Sequence, residues 1–240
     1  MSDAVTPRSS TPSIPKTITI TSNEDESKTA DLVGGLISIA YFESLMSDTL
    51  RATITFTDTG VNNSNNIKES ILEGLPIVGQ EMVVLKFEDN NKVTIGDKPE
   101  LVMYVNKVTP ISDDTRKTQI QLDLVSAEFI RNEKTRITKR YDGKISDHVK
   151  QLLTEGNSIG LKTKKDVSDI DETLNNYNYI GNNKKPFYII NWLSRKSISA
   201  ENQKKGKSAG YFFFETADGY HFKSIDSLFA QEQKKSIIFN

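Results

Sequence analysis

The stretch Asp48–Thr57, DTLRATITFT, alternates apolar and polar side chains without a break. In an extended backbone successive side chains point to opposite faces. Leu50, Ala52, Ile54 and Phe56 therefore share one face, and Arg51, Thr53, Thr55 and Thr57 share the other. One face is core and the other meets water or a polar partner. The same alternation recurs on both sides of this segment. Lys16–Ser22, KTITITS, reads as a short half-buried strand, and Thr118–Val125 sets Ile120, Leu122 and Leu124 against Gln119, Gln121 and Asp123. Glu81–Glu88, Leu101–Val108 and Leu32–Glu43 read as further strands, the last with a bulge or bend at Gly34-Gly35. Strands this close together, joined by hairpin-like loops, predict a small antiparallel β-barrel or sandwich over residues 16–126. Several polar faces carry Thr and Gln rather than Lys and Glu, which suits a channel lining or a subunit contact as well as plain solvent exposure.

The connections are read from turn residues. Residues 1–15, rich in Ser, Thr and Pro, read as a flexible N-terminal arm with no apolar core for a signal peptide. Asn23–Thr29 reads as a charged loop, and Asp58-Thr59-Gly60 with VNNSNN as a mobile one. Asn90-Asn91 starts another loop, and Ile67–Glu73 has room for one or two helical turns before Gly74-Leu75-Pro76.

Residues 127–240 change character and predict a mixed α+β domain, which makes the whole chain α+β and mostly β. Ser126–Asn132 reads as a short helix. Ile145, Val149, Leu152 and Leu153 have helical spacing, with Asp147 near the start to suit the dipole. Pro186–Ala200 is the strongest helix expectation: proline suits the first turn, Phe187, Ile190 and Leu193 form one stripe, and Trp192 lies beside them. A Lys- and Gly-rich loop, 201–210, leads to GYFFFETADGYHFKSIDSLF, Gly210–Phe229. There Thr216–Gly219 has the residues of a tight turn that tolerates positive φ, pairing Tyr211–Glu215 with Tyr220–Ser224. Tyr211 and Phe213 share one face of that hairpin and Phe212 and Phe214 the other, so both faces need cover. Trp192, Phe212, Phe213, Phe214 and Tyr220 are thus the candidate packing or interface residues. Phe212 or Phe214 is expected in the core, and the Phe213 side against the helix that carries Trp192. The terminal SIIFN reads as a strand cut short.

Composition narrows the chemistry. The chain of 240 residues is 36% hydrophobic, enough for a core, and no segment approaches a membrane-spanning helix. It has no cysteine, which removes disulfides, thiolate metal sites and cysteine nucleophiles. The net charge of −1 gives no bulk attraction to nucleic acid. That charge is unevenly spread: residues 1–130 carry 11 Lys and Arg against 19 Asp and Glu, and residues 131–240 carry 20 against 13. Such a split fits two regions meeting oppositely charged partners, or ordinary solvated surface.

No catalytic constellation, cofactor site or metal site stands out. The glycine pairs lack phosphate-loop spacing. Asp169, Asp171 and Glu172 in SDIDET lack the glycine and distal glutamate of a calcium loop. His148, beside Asp147, reads as solvent-exposed, and His221 as structural or at a strand edge. Basic groups around Tyr141 and at Lys162, Lys164 and Lys165 lack the stacking platform that nucleic-acid binding wants.

Several segments occur in an order that resembles the baseplate hub protein of contractile-tail phages, a relative of the N-terminal hub of type VI secretion spikes. They are LDLVSAEFIRN, ITKRYDGKISDHVKQLL, KKPFYIINWLSRKS and AGYFFFETADGYHFKSIDSL, with TFTDTG and GLPIVGQEMVVL agreeing more loosely. The resemblance covers roughly Thr17 to Phe229, and the order of segments carries it rather than any one motif. It implies small β-barrels plus a mixed region, with three copies around the tail axis joining the tube to the spike. Family subunits bring two similar barrels, and one is legible here. The resemblance therefore implies a shortened member or a second barrel from another chain, and a trimer or a hexamer. The implied role is a non-enzymatic virion tail component, assembled in the host cytoplasm. Its implied partners are its own copies, the spike, the tube or tube initiator, and wedge proteins, with no nucleic-acid recognition or membrane insertion. A tail-associated glycan-degrading enzyme and a wedge or tail-terminator protein are the alternatives.

Overall fold

Alternating apolar positions build one antiparallel sheet from seven strands: β1 (Ile14–Thr21), β2 (Thr29–Asp31), β3 (Leu36–Phe42), β4 (Arg51–Asp58), β5 (Met82–Glu88), β6 (Glu100–Asp114) and β7 (Lys117–Val125). The structure is a computed structural model that describes residues 14–59, 71–75, 77–88, 100–114, 117–156, 159–200 and 210–232. Across the sheet the strands run β2-β1-β5-β6-β7-β4-β3, and the sheet curls into a half-barrel. Strand outweighs helix, as the mostly-β α+β class requires. The alternation reads out directly: Leu50, Ala52, Ile54 and Phe56 are buried, as are Ile18, Ile20, Val83, Leu85, Ile120 and Leu122.

The two edge strands are joined by very little chain. Only Leu32 and a 3-10 turn, Val33–Gly35, separate β2 from β3. So short a link spans no more than about 18 Å, so the curl brings the two edges near each other there. A Cβ on Gly35 would lie 2.2 Å from the Thr57 carbonyl oxygen, which makes glycine obligatory where the link passes β4. Leu32–Glu43 is therefore not one bulged strand. Leu32 stays with β1, its N–H donating to the Ile18 carbonyl at 2.9 Å, and the chain then crosses to form β3. β2 itself begins inside the stretch that reads as a charged loop. β6 also continues past Val108 to Asp114, where no residue is buried and no alternation marks it.

The expected arm, the VNNSNN and Asn90-Asn91 loops, most of the 201–210 loop, the first part of Ile67–Glu73 and the terminal SIIFN lie outside the described residues. Ile14 and Pro15 belong to β1 rather than to an arm. Pro15 is tolerated because β2 pairs only with Thr19–Thr21, leaving the Pro15 side of β1 without that neighbour. A one-turn helix, α1 (Ile71–Gly74), lies between β4 and β5.

The chain divides into two compact units, one of Met1–Ala40 and Ala52–Leu124, the other of Tyr41–Arg51 and Val125–Asn240. The second contains α2 (Ala127–Lys134), β8 (Arg140–Tyr141), α3 (Ile145–Thr154), β9 (Tyr179–Ile180), α4 (Pro186–Ser194), β10 (Tyr211–Glu215), β11 (Tyr220–Ser224) and α5 (Ile225–Phe229). Ile145, Val149, Leu152 and Leu153 of α3 and Phe187, Ile190 and Leu193 of α4 meet the hairpin in one core. α4 stops at Ser194 rather than running to Ala200. Residues after it are needed in extended form, where Ser199 bridges Thr173 and the Ile198 N–H donates to Asn175 Oδ1 at 3.1 Å.

Candidate interface: the aromatic hairpin and its polar latch

β10 and β11 pair in the register Tyr211↔Ser224, Phe213↔Phe222 and Glu215↔Tyr220. Tyr211, Phe213, Tyr220 and Phe222 all enter the core of the second unit. The Phe213 ring lies 5.6 Å from both Phe187 of α4 and Tyr220. On the opposite side Phe214 is buried beneath His221, stacked at 4.8 Å, while Phe212 is half-buried. The Phe213 side thus meets α4 and is itself the core side, whereas Phe212 stays outside that core. Trp192 sits on another part of α4, edge-on to Tyr177 at 5.4 Å and Tyr179 at 5.7 Å. The five candidate residues accordingly lie on three separate surfaces rather than one.

The turn differs from its sequence reading. The Thr216 N–H donates to the Gly219 carbonyl at 2.9 Å, but neither Asp218 nor Gly219 adopts positive φ. Gly219 is required by proximity instead. A Cβ there would come within 2.3 Å of the Asp166 carbonyl oxygen, to which the Tyr220 N–H donates at 2.9 Å. Positive φ is taken by Gly210, just before β10.

Glu215, 1% exposed, is the polar centre of this unit. Its Oε2 accepts the Leu50 N–H at 2.8 Å, its Oε1 pairs with the Lys165 ammonium, and its own N–H donates to the Ser47 carbonyl at 3.3 Å. Asp48 adds a second tie, accepting from Asn191 Nδ2 of α4 at 2.9 Å. These bonds hold the Tyr41–Arg51 segment in the second unit. Burial pushes the Glu215 carboxyl up, against the pull of Lys165 and the Leu50 N–H, and nearby Glu128 adds to the rise. Glu128 is itself buried and accepts from Thr163 Oγ1 at 2.8 Å. Burial also raises the Tyr220 phenol well above its ordinary value. Sequence reasoning missed Glu215 and its pairing with Lys165; a glutamate at an inward position of an otherwise aromatic strand was the available signal.

The charged groups singled out in the sequence are engaged individually. Asp169 lies 2.6 Å from His221 Nδ1 and pairs with Lys223; burial pushes its carboxyl up, but the bonds to Lys223 and His221 outweigh it and hold it low. Asp171 accepts the Ser224 N–H at 2.9 Å, and Glu172 pairs with Lys144. Among the described residues no three carboxylates or histidines form a metal-binding group. His148 is buried, not solvent-exposed: its Nε2 lies 3.0 Å from the Tyr177 carbonyl, and burial lowers its pKa. Of the lysine group, Lys162 and Lys164 are exposed on a groove of about 500 Å³ with Arg131, whereas Lys165 is committed to Glu215.

The 43 kDa tail protein of prophage MuSo2 from Shewanella oneidensis superposes with a TM-score of 0.53 at 12% identity, over 86% of this chain and 54% of that one. The chain is similar in fold to a phage tail protein. The E. coli c3393 protein, a type VI secretion component whose own description notes similarity to the T4 tail proteins gp27 and gp5, aligns at a TM-score of 0.41 and 11% identity. That alignment covers 89% of this chain and 46% of that one. The chain thus spans about half the length of each. No protein-family profile matches it. A local match, 33% identical over 91 residues, joins it to the Arabidopsis thaliana E3 ubiquitin-protein ligase UPL6, over 37% of this chain and 8% of that protein. So small a share of either chain shows no family.

Proposed function

We propose that this chain is a structural component of a phage tail baseplate hub, adapting the tail tube to the central spike through ring-like oligomerisation. The observation that carries the reading is the fold it shares with the prophage tail protein, half-barrel and mixed unit together, over 86% of its length. An open curled sheet supports it further, because strand edges and polar outer faces are what a ring of neighbouring barrels uses. Thr53 Oγ1 and Gln121 Nε2 both donate to Asp123 on such a face, at 3.2 and 3.0 Å.

The role is non-enzymatic. A glycan hydrolase needs two carboxyl groups flanking a cleft that admits substrate. Glu128 and Glu215, whose charges influence each other in the second unit, are buried and engaged by Thr163, Leu50 and Lys165. The partners of this reading are further copies of the chain, a spike protein, a tube or tube-initiator protein and baseplate wedges, and its place is the virion tail. Quantitative mass spectrometry of purified tails is the test. The reading expects the chain at three or six copies per tail, by the ring symmetry of the assembly. Its absence from intact tails sinks the proposal.

A further inference from the structure

Burying Phe187, Ile190 and Leu193 turns another side of α4 outward, and Tyr188 and Trp192, one helical turn apart, lie on it. Tyr188 is 57% exposed and Trp192 is half-buried. Lys196 Nζ lies 5.2 Å from both the Trp192 and the Tyr177 rings, and Lys184 Nζ lies 5.4 Å from the Tyr188 ring. Exposed Arg195 adjoins them. The neighbouring carboxylates Glu172 and Glu133 are already engaged by Lys144 and Lys185. Aromatic rings and arginine concentrate at the centres of protein contacts, and a cationic rim selects an acidic partner.

The chain carries an acidic complement. Residues 1–40 and 52–124 hold 16 Asp and Glu against 10 Lys and Arg, whereas 41–51 and 125–240 hold 16 against 21. In the first unit Glu24, Asp25 and Glu26 are consecutive and exposed between β1 and β2. That turn is fixed in place. Asn23 Nδ2 donates to the Gly79 carbonyl at 2.8 Å, and Asp25 Oδ1 accepts from the Ser27 N–H at 3.0 Å and its hydroxyl at 2.6 Å. The Ser27 bonds also hold the Asp25 carboxyl below its ordinary range. An ordered acidic turn presents its charge without a large ordering cost on contact.

We propose that the Tyr188–Trp192 face of one copy docks the Glu24–Glu26 turn of a second copy. This contact rests on the ring-forming reading above and names a surface for it. Because the two surfaces differ, it is head-to-tail and repeats from copy to copy until it closes or continues as a filament.

Trp192 is the chain's single tryptophan, so its emission reports on this face alone. The test follows light scattering and tryptophan emission of the full chain over a concentration series, at low salt and at about 0.5 M salt. Mass and a blue shift should rise together at low salt, and both should reverse at high salt. R195E/K196E and E24K/E26K should each raise the concentration needed for association by about tenfold or more. Combining all four changes in one chain should restore association, because every face-to-turn contact is again between opposite charges whatever the ring size. A monomer at all concentrations overturns the contact, as does a mass increase that leaves Trp192 emission unmoved. Weakened variants whose combination in one chain fails to restore association overturn the choice of the acidic turn. None of these outcomes bears on whether the chain is present in tails, which tests the hub reading separately.

Discussion

His148 illustrates how a single buried group sets a pH dependence. Burial depresses its folded pKa, so the unfolded chain takes up the proton first. Its contribution to stability is therefore full above about pH 6.5 and is lost as pH falls below that value. The melting temperature should drop between about pH 7.5 and 5.5. His148→Gln keeps a donor for the Tyr177 carbonyl and should flatten that part of the profile; equal slopes in both proteins would contradict the assignment. Glu215 behaves differently, because its ionised form is tolerated only through its partners. Glu215→Ala removes the acceptor for Leu50 and strands Lys165, and should cost about 3–5 kcal/mol in chemical denaturation. A loss under about 1 kcal/mol would mean that the latch contributes little. The glycines of the edge-to-edge link offer an internal control. Gly35→Ala drives a Cβ into the Thr57 carbonyl and should cost about 1–3 kcal/mol, while Gly34→Ala, with nothing within 4 Å, should be close to neutral. Equal effects at the two positions would refute the close approach.

At the scale of elements, strands were legible wherever one face is buried and the other is not. β4 and β7 read directly from alternation, the hairpin strands from the turn residues between them, and α3 and α4 from their apolar stripes. β2 and the distal half of β6 were not legible, since one is a short edge and the other lacks a buried face. Helix starts were obscured for a different reason. α3 and α4 begin after Lys144 and Lys185, neither of which caps with its side chain. Their first amides are satisfied from afar: the Ser146 N–H by Thr173 Oγ1 at 3.0 Å, and the Phe187 N–H by Asn132 Oδ1 at 2.9 Å. No local signature encodes such caps. Thr173→Ala and Asn132→Ala should each cost about 1–2 kcal/mol, with faster amide exchange confined to the first turn of the helix concerned. The same logic limited the candidate site. Five aromatics were visible in the sequence, and the Phe213 side meets α4 as expected, but the glutamate that ties Leu50 to the hairpin depends on a contact across 165 residues of chain.

For the whole molecule the first unit is acidic and the second basic, and the fold is shared with a phage tail protein of which the chain covers 54%. If assembly uses that charge difference, it weakens as salt rises, since exposed charges are screened beyond about 8 Å at physiological ionic strength. Reversal of exposed Lys162 and Lys164 tests whether their groove takes part. Lys165 must be left intact, because its loss would strand the buried Glu215 and destabilise the unit rather than weaken a contact. The place of this chain in a tail is read most directly by labelling. Gold particles directed to a tag on the chain, imaged on purified tails, should cluster at the end of the tube where the spike attaches. Label spread along the tube, or absent from tails that are otherwise intact, would contradict the hub assignment.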